Sequence, residues 1–231
     1  MKKIALACSL CLIASSAFAA LSKDEVKRLN EAGTILTELR NTPDKGIPEQ
    51  LWEKAQCVVV IPSMKKAAFI VGGEYGSGVM SCRRANGWTA PVFMQLAKGS
   101  WGLQIGAQQV DLVLLAMNRR GVDKLLEDKV SLGADASVAA GPVGRAANAA
   151  TDAQLNAEML AYSRTQGVFA GIDLSGGVLK PDKEADARAY GESTSARDVV
   201  LGDTHHVAAP TQAASFIRAL RRDVRATTGR K

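Results

Sequence analysis

The sequence predicts an α+β domain in which a curved antiparallel sheet closes into a small, barrel-like core, with helices packed on its outside. Three observations support this prediction. Between residues 57 and 174, apolar and polar side chains often alternate with a period of two, which is typical of strands. Eight of the 21 glycines lie between Gly72 and Gly106, inside these segments, where tightly curved strands need residues without side chains. Segments with a helical period precede and follow this region.

The first 19 residues predict a cleavable secretory signal peptide. Two lysines precede an apolar run at residues 4–13, which is too short to span a bilayer, and an Ala-x-Ala site predicts cleavage after Ala19. A lipoprotein signal is the alternative, because Cys8 and Cys11 lie in this segment. It is disfavoured, because no small residue precedes Cys11 and the apolar run before Cys8 is very short. The signal predicts a protein of the periplasm or the outer membrane.

Six segments predict helices. The first, residues 22–40, has a capping box formed by Ser22 and Glu25 and a single apolar stripe. It is either docked on the domain or lies on a membrane surface, and the mixture of acids and bases on its polar face favours docking. The other helices are predicted at residues 48–55, 118–128, 181–190, 195–201 and 210–227. No linker divides the chain, so residues 20–231 are predicted to form one domain with its core at about 51–190.

Nine segments predict strands, and the short turns between them favour antiparallel pairing. Pro62 is expected to end the first strand, and Asn86-Gly87 is a strong hairpin signal. The small and polar residues of 139–154 predict an exposed, mobile Gly/Ala-rich loop. The strands are predicted at residues 57–61, 66–75, 78–84, 88–96, 100–109, 111–117, 132–139, 155–164 and 167–174.

The charge and the cysteines restrict the partners and the redox state. The chain has 29 basic and 23 acidic residues; without the signal peptide, which holds two lysines and no acids, the net charge is 27 − 23 = +4. This mild bias favours anionic surfaces and does not indicate nucleic-acid binding. Removal of the signal peptide leaves Cys57 and Cys82. In an oxidising compartment they form either a disulfide or two buried free thiols, and the sequence leaves both open.

No catalytic or metal-binding constellation is visible in the sequence. His205 and His206 are adjacent in a polar turn, and no Cys/His spacing matches a metal site. The glycine-rich run at residues 72–78 lacks the lysine and the helix of a phosphate-binding loop. Asp111 and Asp135 lie in strand patterns and could do acid–base chemistry, but structural hydrogen bonds are commoner for such carboxylates. The sequence therefore predicts a protein that is not an enzyme and that has no cofactor or metal.

Basic residues are the more informative candidates for binding. Several lie in or beside predicted turns, and four arginines near the C-terminus lie opposite the apolar stripe of the last helix. Such a helix either contacts anionic lipid or docks on the domain with a solvated basic face. The candidate contacts for lipid headgroups are Lys65, Lys66, Lys98, Arg145, Arg218, Arg221, Arg222 and Arg225.

Four segments resemble the SYLF domain family, in the correct order. They are VVVIPSMKKAAFIVGGEYGSGVMSCR (58–83), GSWGLQIGAQQVDLVLLAMN (99–118), KVSLGADASVAAGPVGRAANAATDA (129–153) and YSRTQGVFAGIDLSGGVLKPD (162–182). The resemblance implies a β-barrel-like core with surface helices and mobile loops, binding of phosphoinositides and other anionic phospholipids, and no known enzymatic activity. Some eukaryotic members also bind actin, which a secreted bacterial protein does not encounter, so actin is not expected as a partner.

The resemblance and the charge together predict a non-catalytic lipid-binding protein of the bacterial envelope. Its ligands are predicted to be anionic phospholipid or phosphoinositide headgroups, bound weakly through charge. The alternative is a structural or protein-interaction module of the periplasm or the outer membrane, in which the Gly/Ala-rich loop contacts an envelope protein. An enzyme that uses Asp111 or Asp135 is a third hypothesis, which the missing catalytic constellation disfavours.

Overall fold

Ten strands and six α-helices lie within the described residues of the computed structural model, which are 21–40, 46–68, 71–85, 87–101, 108–143, 156–165, 168–202 and 207–221. The strands are β1 (Cys57–Ala68), β2 (Val71–Arg84), β3 (Gly87–Trp88), β4 (Val92–Trp101), β5 (Gln108–Ala116), β6 (Val130–Ser131), β7 (Val138–Ala140), β8 (Met159–Thr165), β9 (Val168–Gly171) and β10 (Gly177–Pro181). The helices are α1 (Lys23–Arg40), α2 (Glu49–Lys54), α3 (Arg119–Leu125), α4 (Lys183–Tyr190), α5 (Ala196–Leu201) and α6 (Ala214–Arg221), and a 3₁₀ turn (Thr211–Ala213) precedes α6.

The strands form one sheet in the order β6-β10-β4-β2-β1-β5-β8-β7, with β3 beside β2 and β9 beside β8. The sheet is strongly curled into a half-barrel with helices packed against it, which confirms the α+β class. The prediction that the sheet closes is wrong. Its two edge strands, β6 and β7, do not pair with each other in the described part of the chain. The residues between the two strands form a turn, which contains an isolated β-bridge between Leu132 and Ala136. The chain therefore passes from one edge of the sheet to the other, but the two edge strands are not joined by backbone hydrogen bonds.

A β-bulge interrupts β1. Its pairing register with β5 shifts between Ile61 and Met64. Within the bulge, Ser63 has a positive φ of 49°, and its N–H donates to Asp111 Oδ1 at 2.9 Å. The expectation that Pro62 ends the first strand is therefore wrong. The strand tolerates a proline here because the ladder of hydrogen bonds is already interrupted at the bulge, so the missing N–H of Pro62 leaves no ladder bond unmade.

The other strand predictions are confirmed in part. Arg84 pairs with Gly87 across the predicted hairpin, but β3 has only two residues, and β4 begins after a break, at Val92. The segment predicted at 66–75 crosses from β1 to β2, and the segment predicted at 132–139 contains the turn between β6 and β7. The sequence does not predict β10, because its short run of residues lies between two glycines and a proline, a pattern typical of a turn.

Two glycines allow β2 to curl closely against β1. A Cβ on Gly78 would lie 2.1 Å from the carbonyl oxygen of Val60, and a Cβ on Gly76 would lie 2.5 Å from a side-chain carbon of Ile61. Neither position has room for a side chain. The interpretation of the strand glycines as residues that permit tight curvature is confirmed at these two positions.

Both faces of the sheet are buried. Cys57, Val59 and Ile61 of β1 lie in a core that also contains residues of α3 and α5. Val58 and Val60 lie in a second core, on the other face, with residues of α1, α2 and α6. This alternation explains why the run CVVVI has no polar residue, since a strand that is covered on both faces needs apolar side chains at every position.

Helix α1 docks on the second core, as the mixed charge of its polar face predicts. Its capping box forms: Ser22 N–H donates to Glu25 Oε2 at 2.7 Å, and Glu25 N–H donates to Ser22 Oγ at 3.3 Å. Leu29 and Leu36 of its apolar stripe are fully buried. Among the described residues, no helix is both long enough and apolar enough to cross a membrane.

A disulfide joins Cys57 of β1 to Cys82 of β2, with the two Cα atoms 3.9 Å apart. The two residues are directly opposite each other in the antiparallel pair. Of the two alternatives that the sequence leaves open, the disulfide is therefore confirmed. It lies at the end of β2 that leads into the β2–β3 hairpin, where it connects the two central strands covalently.

Some predicted features lie outside the described residues. They are the signal peptide at residues 1–19, most of the strand at 100–109, the loop at 139–154 beyond residue 143, and the last helix beyond Arg221. The first residues of the predicted loop, Ala139 and Ala140, belong to β7.

Candidate anion-binding cleft

A cleft of about 880 Å³ lies at the disulfide end of β2. The β2–β3 hairpin, the start of α3, the end of α5 and the end of α6 surround it. Four arginines lie along it: Arg83, Arg84, Arg119 and Arg221. We call this site the arginine cleft.

Arg83 is fixed against the end of α2. Its Nε donates to the carbonyl of Ala55 at 3.3 Å, and its Nη2 donates to the carbonyl of Trp52 at 3.2 Å. Its guanidinium carbon also lies 4.5 Å from the ring centroid of Trp88, at a distance typical of a cation–π contact. The charge of Arg83 is therefore held in one place by neutral partners.

Backbone carbonyls also fix Arg84, at the end of α5. Its Nη2 donates to the carbonyl of Val200 at 2.7 Å, and both Nη atoms donate to the carbonyl of Gly202, at 3.3 and 3.2 Å. These carbonyls lie at the C-terminal end of α5, where they have no partner within the helix. The arginine stabilises the helix end and at the same time directs a cation into the cleft.

The other two arginines are exposed. The Nε of Arg119 lies 3.2 Å from Asp123 Oδ1, one turn further along α3, and 66% of the Arg119 side chain is exposed. Arg221, at the end of α6, reaches towards the hairpin: its Nε lies 3.7 Å from where a Cβ on Gly87 would be. Among the described residues, Arg221 makes no hydrogen bond or ion pair. It is thus available for an anionic ligand.

The charged residues in the described lining of the cleft are all basic. None of its described lining residues is an aspartate or a glutamate; Asp123, which pairs with Arg119, is not part of the lining. The cleft lining also contains aliphatic side chains from α5, from α6 and from the segment before it, which are Val199, Val200, Leu201, Val207 and Ile217. Guanidinium groups bind phosphate and carboxylate oxygens in a bidentate manner. The cleft therefore combines the chemistry needed for an anion with a surface suited to an apolar group.

A comparison with protein families gives one match of direct relevance. The family model described as "Ysc84: Las17-binding protein actin regulator" matches residues 97–223, more than half of the chain. The chain belongs to the Ysc84 family, also called the SYLF family. This result confirms the resemblance found in the sequence. The description refers to binding and regulation, not to a reaction.

Several curated relatives are similar to this Ysc84-family chain. Human SH3 domain-containing YSC84-like protein 1 is 33% identical over 186 residues, which are 79% of this chain and 54% of the relative. The mouse protein of the same name is 34% identical over 195 residues, covering 83% and 56%. LAS seventeen-binding protein 3 of Saccharomyces cerevisiae is 32% identical over 163 residues, covering 69% and 35%. The chain thus spans about half, or less, of the length of these relatives.

The structure separates the predicted lipid contacts into different places in the Ysc84-family fold. Arg221 lies in the arginine cleft. Arg218, one turn earlier in α6, lies instead in a shallow groove between α6 and α1. Lys65, Lys66 and Lys98 lie at the opposite end of the central strands. The remaining three, Arg145, Arg222 and Arg225, lie outside the described residues, as do His205 and His206.

The three lysines form a second basic region, which we call the lysine end. Lys66 of β1 and Lys98 of β4 are both directly opposite Glu74 of β2 in the sheet. Lys98 Nζ donates to the carbonyl of Asp173 at 3.0 Å. Hydrogen bonds from Ser175 and, to a smaller extent, the charge of Lys98 hold the pKa of Asp173 below its usual value. Acidic groups are therefore interspersed with these lysines.

The two aspartates that the sequence suggests for acid–base chemistry have structural partners in this Ysc84-family fold. Asp111 accepts the N–H of Ser63 in the bulge, and its Oδ2 lies 3.2 Å from Arg164 Nη1. Asp135 accepts the N–H of Ser131 at 2.8 Å in the turn after β6, and hydrogen bonding to Ser131 lowers the pKa of this exposed carboxyl. The described residues contain no group of acidic, histidine or cysteine side chains that could hold a metal ion.

A buried carboxyl group, Asp186, lies where α4 packs on β4. Its Oδ1 accepts the N–H of Phe93 at 2.8 Å, and its Oδ2 is buried without a hydrogen-bond partner in the described part of the chain. Burial raises the pKa of Asp186 to about 7, and the charges of Asp182 and Glu25 act in the same direction against the Phe93 hydrogen bond. Ion pairs of Glu25 with Arg188 and of Asp182 with Arg28 connect this region to α1.

Three arginines of the cleft, Arg83, Arg84 and Arg119, are not among the candidates chosen from the sequence. The available signals are local: CRRANGW places two arginines and a tryptophan on either side of a hairpin turn, and Arg119 follows Asn118, whose side chain caps α3. Neither pattern shows that the two segments meet. Only the packing of α3, α5 and α6 around the hairpin brings these residues together with Arg221.

Proposed function

We propose that this Ysc84-family domain is a non-catalytic binding domain whose arginine cleft binds the headgroups of anionic phospholipids. The observation that carries the proposal is the convergence of four guanidinium groups on a cleft whose described lining has no carboxylate. The aliphatic side chains of the cleft support a lipid ligand, because the glycerol and acyl carbons next to a headgroup need an apolar contact. Arg83 and Arg84 are already fixed by carbonyl groups, which reduces the entropy lost when a ligand binds.

Binding of a protein partner is the second candidate function. The observation in its favour is that the relatives are named for protein partners or modules, as a LAS seventeen-binding protein and as SH3 domain-containing proteins. The family model is also described as an actin regulator. The expectation that actin is not a partner of this chain stays a prediction. A pull-down that retains a protein but shows no lipid binding favours this second function.

Vesicle co-sedimentation tests the lipid proposal. We expect the chain to bind phosphatidylcholine vesicles that contain phosphatidylglycerol, to bind pure phosphatidylcholine much less, and to bind less as salt rises, because exposed charges are screened over about 8 Å at physiological ionic strength. The double variant Arg119→Gln/Arg221→Gln should bind about a hundredfold more weakly, because it loses two charge-assisted hydrogen bonds that contribute about 1.5 kcal/mol or more each.

The matched control is Arg120→Gln/Arg218→Gln. It removes the same charge from the same two helices, and both residues are exposed but do not line the cleft. We expect it to bind almost as well as the wild type. An equal loss in the two double variants would show that net charge, and not the cleft, drives binding. Equal binding to neutral and anionic vesicles would refute the proposal as a whole.

We also propose that the protein acts at the bacterial envelope, after cleavage behind Ala19. The support is the arrangement of lysines, apolar residues and an Ala-x-Ala site in the sequence. The confirmed disulfide agrees with an oxidising compartment. Cell fractionation together with mass spectrometry of the mature N-terminus tests this proposal, and a cytosolic protein that retains residues 1–19 would contradict it.

A further inference from the structure

Three buried carboxyl groups lie where the start of α1 meets α4. They belong to Glu25 of α1, to Asp182 at the N-cap of α4, and to Asp186 one turn further along α4. We call these three residues the carboxyl cluster. A carboxylate that is removed from water is costly unless a cation or hydrogen-bond donors compensate it. The partners of the three groups therefore determine how much negative charge the cluster can hold.

Two of the three carboxyl groups have a cation each. Arg188 of α4 donates from Nε to Glu25 Oε1 at 2.7 Å, and Arg28 of α1 donates from Nη1 to Asp182 Oδ2 at 2.9 Å. In each ion pair the acid belongs to one helix and its segment, and the base belongs to the other. The two pairs therefore join the first two turns of α1 to α4.

The third carboxyl group, that of Asp186, has no cation among the described residues. From β4 it receives only the N–H of Phe93, at Oδ1, and its Oδ2 has no hydrogen-bond partner in that part of the chain. The nearby phenol of Tyr190 donates to the carbonyl of Pro91, and burial raises its pKa far above the usual value, so it stays neutral. Ionised Asp186 therefore adds one uncompensated charge to a cluster that is otherwise balanced.

We propose that the carboxyl cluster is a pH-dependent clasp, which holds the first two turns of α1 on α4 while Asp186 is protonated and loosens them when Asp186 ionises. This inference goes beyond the proposed function and does not depend on it. The protonated cluster has two carboxylates and two guanidinium groups. The ionised cluster has three carboxylates, and two of them, Glu25 and Asp182, repel the third.

The direction of the pH dependence follows from Asp186. Burial raises its pKa to about 7, and the charges of Asp182 and Glu25 act in the same direction. Opening of the clasp exposes this carboxyl group to water, which returns its pKa towards the ordinary value of 3.8. The closed state then binds one more proton than the open state between these two values. Opening is therefore favoured as the pH rises towards 7 and changes little above 7.

The rest of α1 is held by contacts that do not titrate. Leu36 and Leu39 are buried in the second core. Gly33 allows close packing on α6, since a Cβ on Gly33 would lie 3.2 Å from the backbone nitrogen of Phe216. We therefore expect the opening to be confined to residues 22–28.

Amide hydrogen exchange of the full chain, corrected for the intrinsic rate at each pH, tests the clasp. The protection of the amides of residues 25–28 should fall by up to about tenfold per pH unit between pH 5 and 7 and then level off. The amides of residues 57–61, in the central strand β1, should be better protected at every pH, because they report global unfolding. Constant protection at residues 25–28, or protection equal to that of residues 57–61, contradicts the proposal.

Two variants assign the effect to Asp186. In Asp186→Asn, which cannot ionise, the protection of residues 25–28 should stay nearly constant from pH 5 to 8. The matched control is Glu184→Gln, which removes the same charge from an exposed position of the same helix and should keep the wild-type pH dependence. Wild-type behaviour in Asp186→Asn, or loss of the pH dependence in Glu184→Gln, overturns the proposal.

A titration of the wild-type protein gives a second measurement, which needs no variant to fold. The ¹³C chemical shift of the Asp186 carboxyl group is followed by NMR over the same pH range. Its midpoint should lie near 7 and should coincide with the pH at which the protection of residues 25–28 levels off. A midpoint near 4 overturns the proposal, because Asp186 would then already be ionised in the closed state throughout the range.

Discussion

The arginine cleft and the lysine end lie at opposite ends of the same strand, and both contain clustered cations. In β2, Tyr75 is directly opposite Lys65, and Arg83 lies eight residues further along the strand. At about 3.3 Å per residue, the two regions are roughly 26 Å apart along the strand. One lipid headgroup cannot span this distance, so a single headgroup site cannot include both regions.

The two regions differ in how their charges are held. In the arginine cleft, Arg83 donates to two backbone carbonyls and lies against the ring of Trp88, so these partners are neutral. At the lysine end, Glu74 is directly opposite two lysines, and Asp173 is close to Lys98. Neutral partners fix a cation without cancelling it, whereas acidic neighbours reduce its potential. The comparison shows that the type of partner, more than the number of basic residues, separates the stronger candidate site from the weaker one.

Of the substitutions proposed, removal of the disulfide should cost the most stability, because the cross-link fixes β1 to β2 at the arginine cleft. Replacing both cysteines, Cys57→Ala/Cys82→Ala, should lower the free energy of unfolding by about 3 kcal/mol, since the unfolded chain loses the constraint of a cross-link between residues 25 positions apart. Urea unfolding measures the loss. Amide exchange should rise near Arg83 and remain almost unchanged near Lys65.

Reduction of the wild-type disulfide is the control for this prediction, because it removes the cross-link without replacing either residue. It should produce a similar loss of stability. An unchanged unfolding midpoint in both cases, or faster exchange at both ends of β2, would contradict the view that the disulfide specifically fixes the cleft end.

Arg84 should contribute more to stability than Lys98. The variant Arg84→Gln loses hydrogen bonds to the carbonyls of Val200 and Gly202, which should cost about 2 kcal/mol. The matched variant Lys98→Gln loses one exposed hydrogen bond and should change stability by less than about 0.5 kcal/mol. Urea unfolding of both variants tests the difference. Equal losses would show that the side chain of Arg84 contributes no more to the free energy of unfolding than that of Lys98.

The stability of the fold should also depend on pH through Asp186. Its pKa is about 7 in the folded protein and near 3.8 in the unfolded chain, so between these values the folded state binds one more proton. Stability from this group is then highest at low pH and falls as the pH rises towards 7, by about 1.4 kcal/mol per pH unit. In Asp186→Asn this slope should disappear. Unfolding of both proteins from pH 4.5 to 8 measures the difference, and parallel curves would contradict the prediction.

Much of the fold could be predicted from local pattern. The continuous apolar run CVVVI identifies a buried strand, and Ser22 and Glu25 identify the start of α1, because both signals depend only on neighbours in sequence. The half-barrel could not be predicted in this way. Closure depends on how far the whole sheet curls, and the bulge at Ser63 depends on Asp111, which lies 48 residues away.

The candidate site was predictable only in part for the same reason. Arg221 follows from the amphipathic pattern of the last helix. Arg84 and Arg119, in contrast, come from separate segments and become neighbours only through the packing of α3 and α5 against the hairpin. Their carbonyl and aspartate partners also come from the fold, so the sequence cannot show which cations remain uncompensated.

The smallest effect is expected at the lysine end. The variant Lys65→Gln/Lys98→Gln should change binding to anionic vesicles by less than about twofold, because solvated lysines near acidic groups contribute little once salt screens them. It removes the same charge as Arg119→Gln/Arg221→Gln, so vesicle co-sedimentation of these two variants compares the two regions directly. A loss at the lysine end that equals the loss at the cleft would reverse the assignment, because the exposed guanidinium groups of the cleft would then give no advantage over the ammonium groups of the lysine end.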